Sequence, residues 1–310
     1  MNENKDLSQG NDAPRPAPSR ADRILLILRG LFYPLLYTSV TSAVLLVYRA
    51  VTAALVMAGN MGANVAAPDP DSSAGENVVL IVSAALTFAV ILIITKVRKK
   101  PLKEELHFKA IDPLAGVLAF ITGVSLNFSV LFVINFLLPP SVLQSYGENV
   151  NYTGSVVIYV LMAMICAPVI EELTYRNFTL VRFKSAMPAW LAAALSAALF
   201  GLMHGDTVQK IYGVLFGVLA AAVFIRTDSV FTSILIHSGF NSASVIGIVL
   251  GKIGMSEAAA AVVNLVYIVV MYVSVAVSIL SVVGLFLLTS KKRKKDAPSA
   301  PADGINGEIV

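Results

Sequence analysis

Apolar runs approaching or exceeding twenty residues constrain this chain more than anything else in it. They can be read at about 31–56, 78–95, 114–138, 155–170, 189–204, 211–225, 230–250 and 259–289. A helix needs about 20 such residues to cross roughly 30 Å of hydrocarbon. The reading is therefore an all-α, polytopic membrane bundle of about eight transmembrane helices. Composition agrees. The 310 residues are 57% hydrophobic and 14% charged, with a mean hydropathy of +0.78, a balance foreign to a soluble domain of this size.

Orientation follows from the Lys and Arg residues, because cytoplasmic loops keep positive charge. With the N-terminus inside, the inner segments hold Lys5, Arg15, Arg20, Arg23 and Arg29; six residues from Lys96 to Lys109; Arg176, Arg182 and Lys184; Arg226; and five from Lys291 to Lys295. The outer loops hold only Lys210 and Lys252, together with Asp69, Asp71, Glu76, Glu148, Asp206 and Glu257. Both termini are expected on the cytoplasmic side of the cell membrane. The net charge of +4 then reflects topology and contact with anionic lipid heads, and nucleic acid is not an expected partner.

The chain divides into a polar, disordered tail (1–22), a first group of three spans (23–150) with a basic inner loop (96–112), a polar-helix core (151–255), a last span (256–290) and a basic, then disordered tail (291–310). No cleaved signal peptide is expected at the first end, and the GEIV terminus offers no prenylation cysteine. Cys166, the sole cysteine, excludes an internal disulfide and a cysteine metal cage. Three G-x-x-x-G pairs, Gly201/Gly205, Gly213/Gly217 and Gly247/Gly251, suggest close backbone packing among the polar helices.

The chemistry concentrates in the core. VIEELTYR, residues 169–176, sets two carboxylates side by side at the end of an apolar run. Glu172 and Arg176 are four apart and share a helix face, which suits an ion pair near the inner surface that fixes the helix end. Glu171 is rotated about 100° away and has no partner on its own helix. A lone carboxylate in lipid costs at least about 2.5 kcal/mol on insertion scales, so it calls for a use or a partner elsewhere. Of three histidines, His107 reads as a solvated loop residue, whereas His204 and His237 lie in apolar spans. Asn241 is one turn after His237, and Phe200 one turn before His204. One acid, two imidazoles and an amide are the parts needed to activate water and to stabilise an oxyanion.

The ordered motifs E-E-x-x-x-R, F-x-x-x-H and H-x-x-x-N resemble the CPBP family of intramembrane proteases. That family includes type II CAAX prenyl endopeptidases and the bacteriocin-processing or immunity proteins called Abi proteins. The resemblance covers about 155–250 and implies an eight-helix endopeptidase acting on a membrane-anchored peptide or protein substrate. Glu171 would be the catalytic base, His204 its partner in activating water, and His237 and Asn241 the oxyanion stabilisers. Glu172 and Arg176 would be a structural pair, with Phe200 packed beside them.

The family has been described both as metalloproteases and as glutamate-dependent proteases. Glu171, His204 and His237 would be the ligands of a zinc ion, but no H-E-x-x-H occurs, and no second acid is left to act as base. Metal-free catalysis without a cofactor is therefore favoured. Two readings from other classes compete: a non-catalytic scaffold or immunity protein of the same fold, and a proton-coupled transporter. The transporter would show inverted repeats, yet the polar groups lie in one half of the chain. One difficulty stands out. Counted along the expected spans, Glu171 lies near the inner face and His204 nearer the outer one.

Overall fold

The computed structural model describes residues 18–60, 73–99, 101–143 and 155–295. Both expected terminal tails lie largely outside these, as do Lys5, Arg15, Asp69, Asp71 and Glu148 and the side chains of Lys291 to Lys295. Every regular element among the described residues is helical. We label them α1 (Arg20–Asn60), α2 (Ser73–Val97), α3 (Leu102–Glu105), α4 (Pro113–Leu137), α5 (the continuous rod Val156–Ala186), α6 (Ala189–Leu202), α7 (Thr207–Thr227), α8 (Val230–Lys252) and α9 (Glu257–Lys295). Each of the eight apolar runs becomes one helix. Seven are long and apolar enough to cross a membrane, while α6, with 14 residues, rises only about 21 Å.

The sequence marks several of the ends. Asp112 accepts from Leu114 N at 2.8 Å and is followed by Pro113 at the first helical position of α4. Asp206 does the same for α7 through Val208 N and Gln209 N. At the other end of α7, Asp228 takes the left-handed conformation, with φ 51°, that short polar side chains tolerate.

The rod α5 runs between two apolar cores. Tyr33 and Tyr37 of α1, Ile91 of α2, and Leu173, Phe178 and Phe183 of α5 belong to the first. Tyr175, Phe200, Phe216, Ile236 and Phe240 belong to the second, which joins α5 to α6, α7 and α8. The outer surface is apolar too: Phe136 is 83% and Trp190 73% exposed, as expected where lipid is the solvent. Between α4 and α9 hydroxyls pair alongside the aromatic contacts Phe128–Tyr267 and Phe132–Tyr272. Ser129 lies 3.1 Å from Ser274 and 3.0 Å from Ser278, and Thr122 donates to Ser281 at 2.9 Å.

The tightest helix crossing lies outside the expected glycine pairs. A Cβ on Gly239 of α8 would stand 2.2 Å from the Phe120 carbonyl, and one on Gly123 of α4 would stand 1.9 Å from the Ile236 carbonyl. Backbone therefore touches backbone two residues from His237. Gly201, Gly213 and Gly217 do serve the α6–α7 contact, but Gly205, Gly247 and Gly251 face nothing within 4 Å. Those partners of the G-x-x-x-G pairs play no packing role among the described residues.

A polar clasp ties the segment after α3 to the bundle. Asn177 donates to Glu105 O at 2.9 Å and accepts from His107 N at 2.8 Å, while its Oδ1 lies 3.0 Å from His107 Nδ1. The His107 carbonyl accepts from Val230 N, and Lys109 pairs with Asp228. His107 is thus anchored, unlike the solvated loop residue expected from sequence, because an amide buried in α5 reaches it.

Candidate active site

Local sequence sets the shape of α5. It departs twice from regular α-helix, with π-helical stretches at Met162–Cys166 and Leu173–Leu180. The first ends two residues before Pro168, whose missing N–H and bulky ring disfavour a regular α-helical ladder. Glu171 and Glu172 close the short α-helical piece between the two stretches. Carbonyls of both stretches accept from neighbouring helices: Ala163 O from Asn241 Nδ2 at 2.7 Å, Met164 O from Ser238 Oγ at 2.8 Å, and Tyr175 O from Ser196 Oγ at 2.8 Å. Side chains of α6 and α8 thereby fix α5 in register.

On this frame the acid doublet meets His237. Glu172 is wholly buried, and its Oε1 accepts from Arg176 Nη1 at 2.9 Å and from His237 Nδ1 at 2.9 Å. Arg176 is also wholly buried, with its guanidinium 4.5 Å from the Phe200 ring centre and 5.6 Å from that of Phe216. The other imidazole nitrogen of His237, Nε2, lies 3.8 Å from Glu171 Oε2. Glu172 is ion-paired and accepts, so His237 carries a proton on Nδ1 and turns its Nε2 edge toward Glu171. His237 is thus suspended between two carboxylates.

Phe200 is the hub. Its ring centre is 5.0 Å from that of His204, 5.7 Å from His237 and 5.3 Å from Tyr175. His204 Nδ1 is 3.0 Å from the Phe200 carbonyl, an acceptor, which places the proton on Nδ1 and leaves Nε2 as the basic nitrogen. Glu171, Glu172, Arg176, Phe200 and His237 therefore form one contact network, which His204 joins through Phe200. Asn241 lies one turn beyond His237 with one amide hydrogen committed to Ala163 O.

The depth difficulty disappears once α5 is seen whole. The expected span stopped at 170, but the helix continues to Ala186, because Glu172, Arg176 and Asn177 find partners inside the protein. Glu171 is then midway along the rod, and Glu172 and Arg176 make a buried pair at mid-height, where sequence reading put them at the helix end. From the turn at Met187 and Pro188, Glu171 lies 16 residues back along α5, and His204 lies 16 residues on, just past the end of α6. Antiparallel helices joined there bring the two to one level.

Among the described residues no three His, Cys, Asp or Glu side chains converge to hold a metal ion. Glu171, His204 and His237 do not close into a cage, and the buried Arg176 cation stands beside the same carboxylate that holds His237.

Sequence reasoning missed the link from Glu172 to His237, the hydroxyls that hold the π-helical carbonyls, and Tyr37 and Tyr175 beside Glu171. A Tyr one turn after Glu171 was the available signal for Tyr175. Nothing in the sequence could signal Tyr37, which comes from α1. Residues 153–243 match the family model described as type II CAAX prenyl endopeptidase Rce1-like, a segment just under a third of the chain that contains Glu171, Glu172, Arg176, Phe200, His204, His237 and Asn241. No curated protein and no solved structure matches the chain. The match agrees with the resemblance carried by the three motifs.

Proposed function

From residues 153–243, which match the Rce1-like family model, we propose an intramembrane endopeptidase of the CAAX type in which Glu171 activates water inside the bundle. The observation that carries the reading is His237 held between two carboxylates, at 2.9 Å and 3.8 Å, within an apolar helix bundle. The Glu171 carboxylate takes a proton as the water oxygen attacks the scissile carbonyl carbon, with His204 Nε2 assisting from across Phe200. Nε2–H of a protonated His237 and the remaining amide hydrogen of Asn241 donate to the oxyanion. Collapse of the tetrahedral intermediate breaks the C–N bond, and the proton taken by Glu171 passes to the departing amine. Glu172 and Arg176 keep His237 in one orientation throughout.

The substrate would be a membrane-anchored or prenylated peptide, or a peptide precursor, entering from the lipid or the cytoplasmic side. Positive charge on the inner segments supports cytoplasmic termini in the cell membrane. Purified protein in liposomes, given farnesylated and unmodified fluorogenic CAAX peptides, should release the C-terminal fragment of at least one. Glu171→Gln should slow release by about 10²–10⁴-fold while remaining in the membrane. Release by Glu171→Gln at the wild-type rate would remove Glu171 from the reaction. In cells, a precursor that accumulates only with Glu171→Gln identifies the natural substrate.

A further inference from the structure

Tyr175 is 1% exposed, lies one turn after Glu171 on the same rod, and its hydroxyl has no hydrogen-bond partner among the described residues. Its ring meets Phe200 edge-on at 5.3 Å, so it stands against the hub that also carries both imidazoles. Tyr37 of α1 packs in the apolar core that also holds Ile170 and Leu173, the neighbours of the acid doublet on α5. A buried hydroxyl without a partner destabilises a fold, and phenylalanine would fill the same volume without that cost. The tyrosine is therefore not explained by packing.

We propose that Tyr175 is a positioning residue whose hydroxyl donates to the Glu171 carboxylate and holds it facing the water it deprotonates. The proposal rests on the reading of Glu171 as base. Glu171 is the only carboxylate of the doublet without a hydrogen-bond donor within bonding distance among the described residues: Glu172 has two at 2.9 Å, whereas His237 Nε2 stands 3.8 Å from Glu171. The Tyr175 hydroxyl is an unengaged donor one turn from Glu171 on the same rod, as Thr174 Oγ1, three residues from Glu171, is. The Glu171 side chain is 17% exposed, which leaves it room to turn toward that hydroxyl or to meet it through a water.

The test is Tyr175→Phe in the full-length protein, read on a peptide that the wild type cleaves. The expected result is a kcat about tenfold lower, KM within twofold of wild type, and a melting temperature equal or higher. Wild-type kcat overturns the proposal, and so does a joint fall of kcat and melting temperature, which would mark the hydroxyl as structural. Should the variant fail to accumulate, fluorotyrosine at position 175 keeps both ring and hydroxyl. Its fluorine resonance must then move when Glu171→Gln is introduced, and an unmoved resonance overturns the proposal. An inactive Glu171→Gln beside a fully active Tyr175→Phe removes the positioning role alone, whereas an active Glu171→Gln removes the reading on which it rests.

Discussion

Replacing Glu172 by alanine strands a guanidinium that has no route to water. Arg176 is wholly buried, and Glu172 Oε1 at 2.9 Å is its one short polar contact among the described residues. What remains is a long contact from Nη2 to Gly217 O at 3.4 Å and the faces of Phe200 and Phe216, while Nε already lacks a partner among the described residues. Removing one member of a buried pair costs about 3–5 kcal/mol. His237 Nδ1 loses its acceptor in the same change, so the upper half of that range applies. At about 2–4 °C per kcal/mol, the melting temperature in detergent should fall by roughly 10 °C. The pair is single-contact, since Glu172 Oε2 is also unpartnered among the described residues. Exchanging both residues together, Glu172→Leu with Arg176→Met, should therefore recover most of the stability without recovering activity. A wild-type melting temperature for Glu172→Ala, or a double variant no more stable than the single one, would refute the reasoning.

The α4–α8 crossing gives a second expectation. Gly239→Ala should destabilise by about 3 kcal/mol and reduce activity, since the new methyl meets the Phe120 carbonyl and pushes α8 off α4 two residues from His237. Gly247→Ala on the same helix should be neutral or slightly stabilising by thermal unfolding, because nothing lies within 4 Å. Peptide cleavage should survive strong chelation, and inhibition reversed by added zinc would contradict the metal-free mechanism. Asn177→Ala should make the segment around His107 cleavable by limited proteolysis, and unchanged resistance would mean that the clasp is not what holds it.

Fold class and the ingredients of the site were legible in the sequence for one physical reason. In lipid, apolar length reports helices directly, and a charge inside such a length stands out against its surroundings. The eight runs and the residues Glu171, Glu172, Arg176, His204 and His237 were found in this way, while Phe200 and Asn241 came from their one-turn spacing to the histidines and from the motif resemblance. The end of α5 was not, because composition turns polar at Glu171 while the helix continues: partners supplied by other helices make those polar residues tolerable, and a hydropathy profile does not contain them. The same limit hid the depth match of Glu171 and His204. Glycine spacing misled at Gly247/Gly251, because a G-x-x-x-G shows that close approach is permitted without showing which helix approaches. At Gly123 and Gly239 single glycines on different helices meet, and no local pattern announces that. The double engagement of Glu172 was equally invisible, since His237 lies 65 residues away along the chain.

The most direct test of the account asks whether Glu171 and His237 act as one unit on one reaction. Single-turnover cleavage of a membrane-anchored peptide should be measured for wild type, Glu171→Gln, His237→Gln and the double variant, each confirmed to be folded and in the membrane. The account predicts that each single change costs about 10²–10⁴-fold and that the double change costs little more than the worse single one. Losses that multiply in the double variant, or wild-type turnover in either single one, would contradict it.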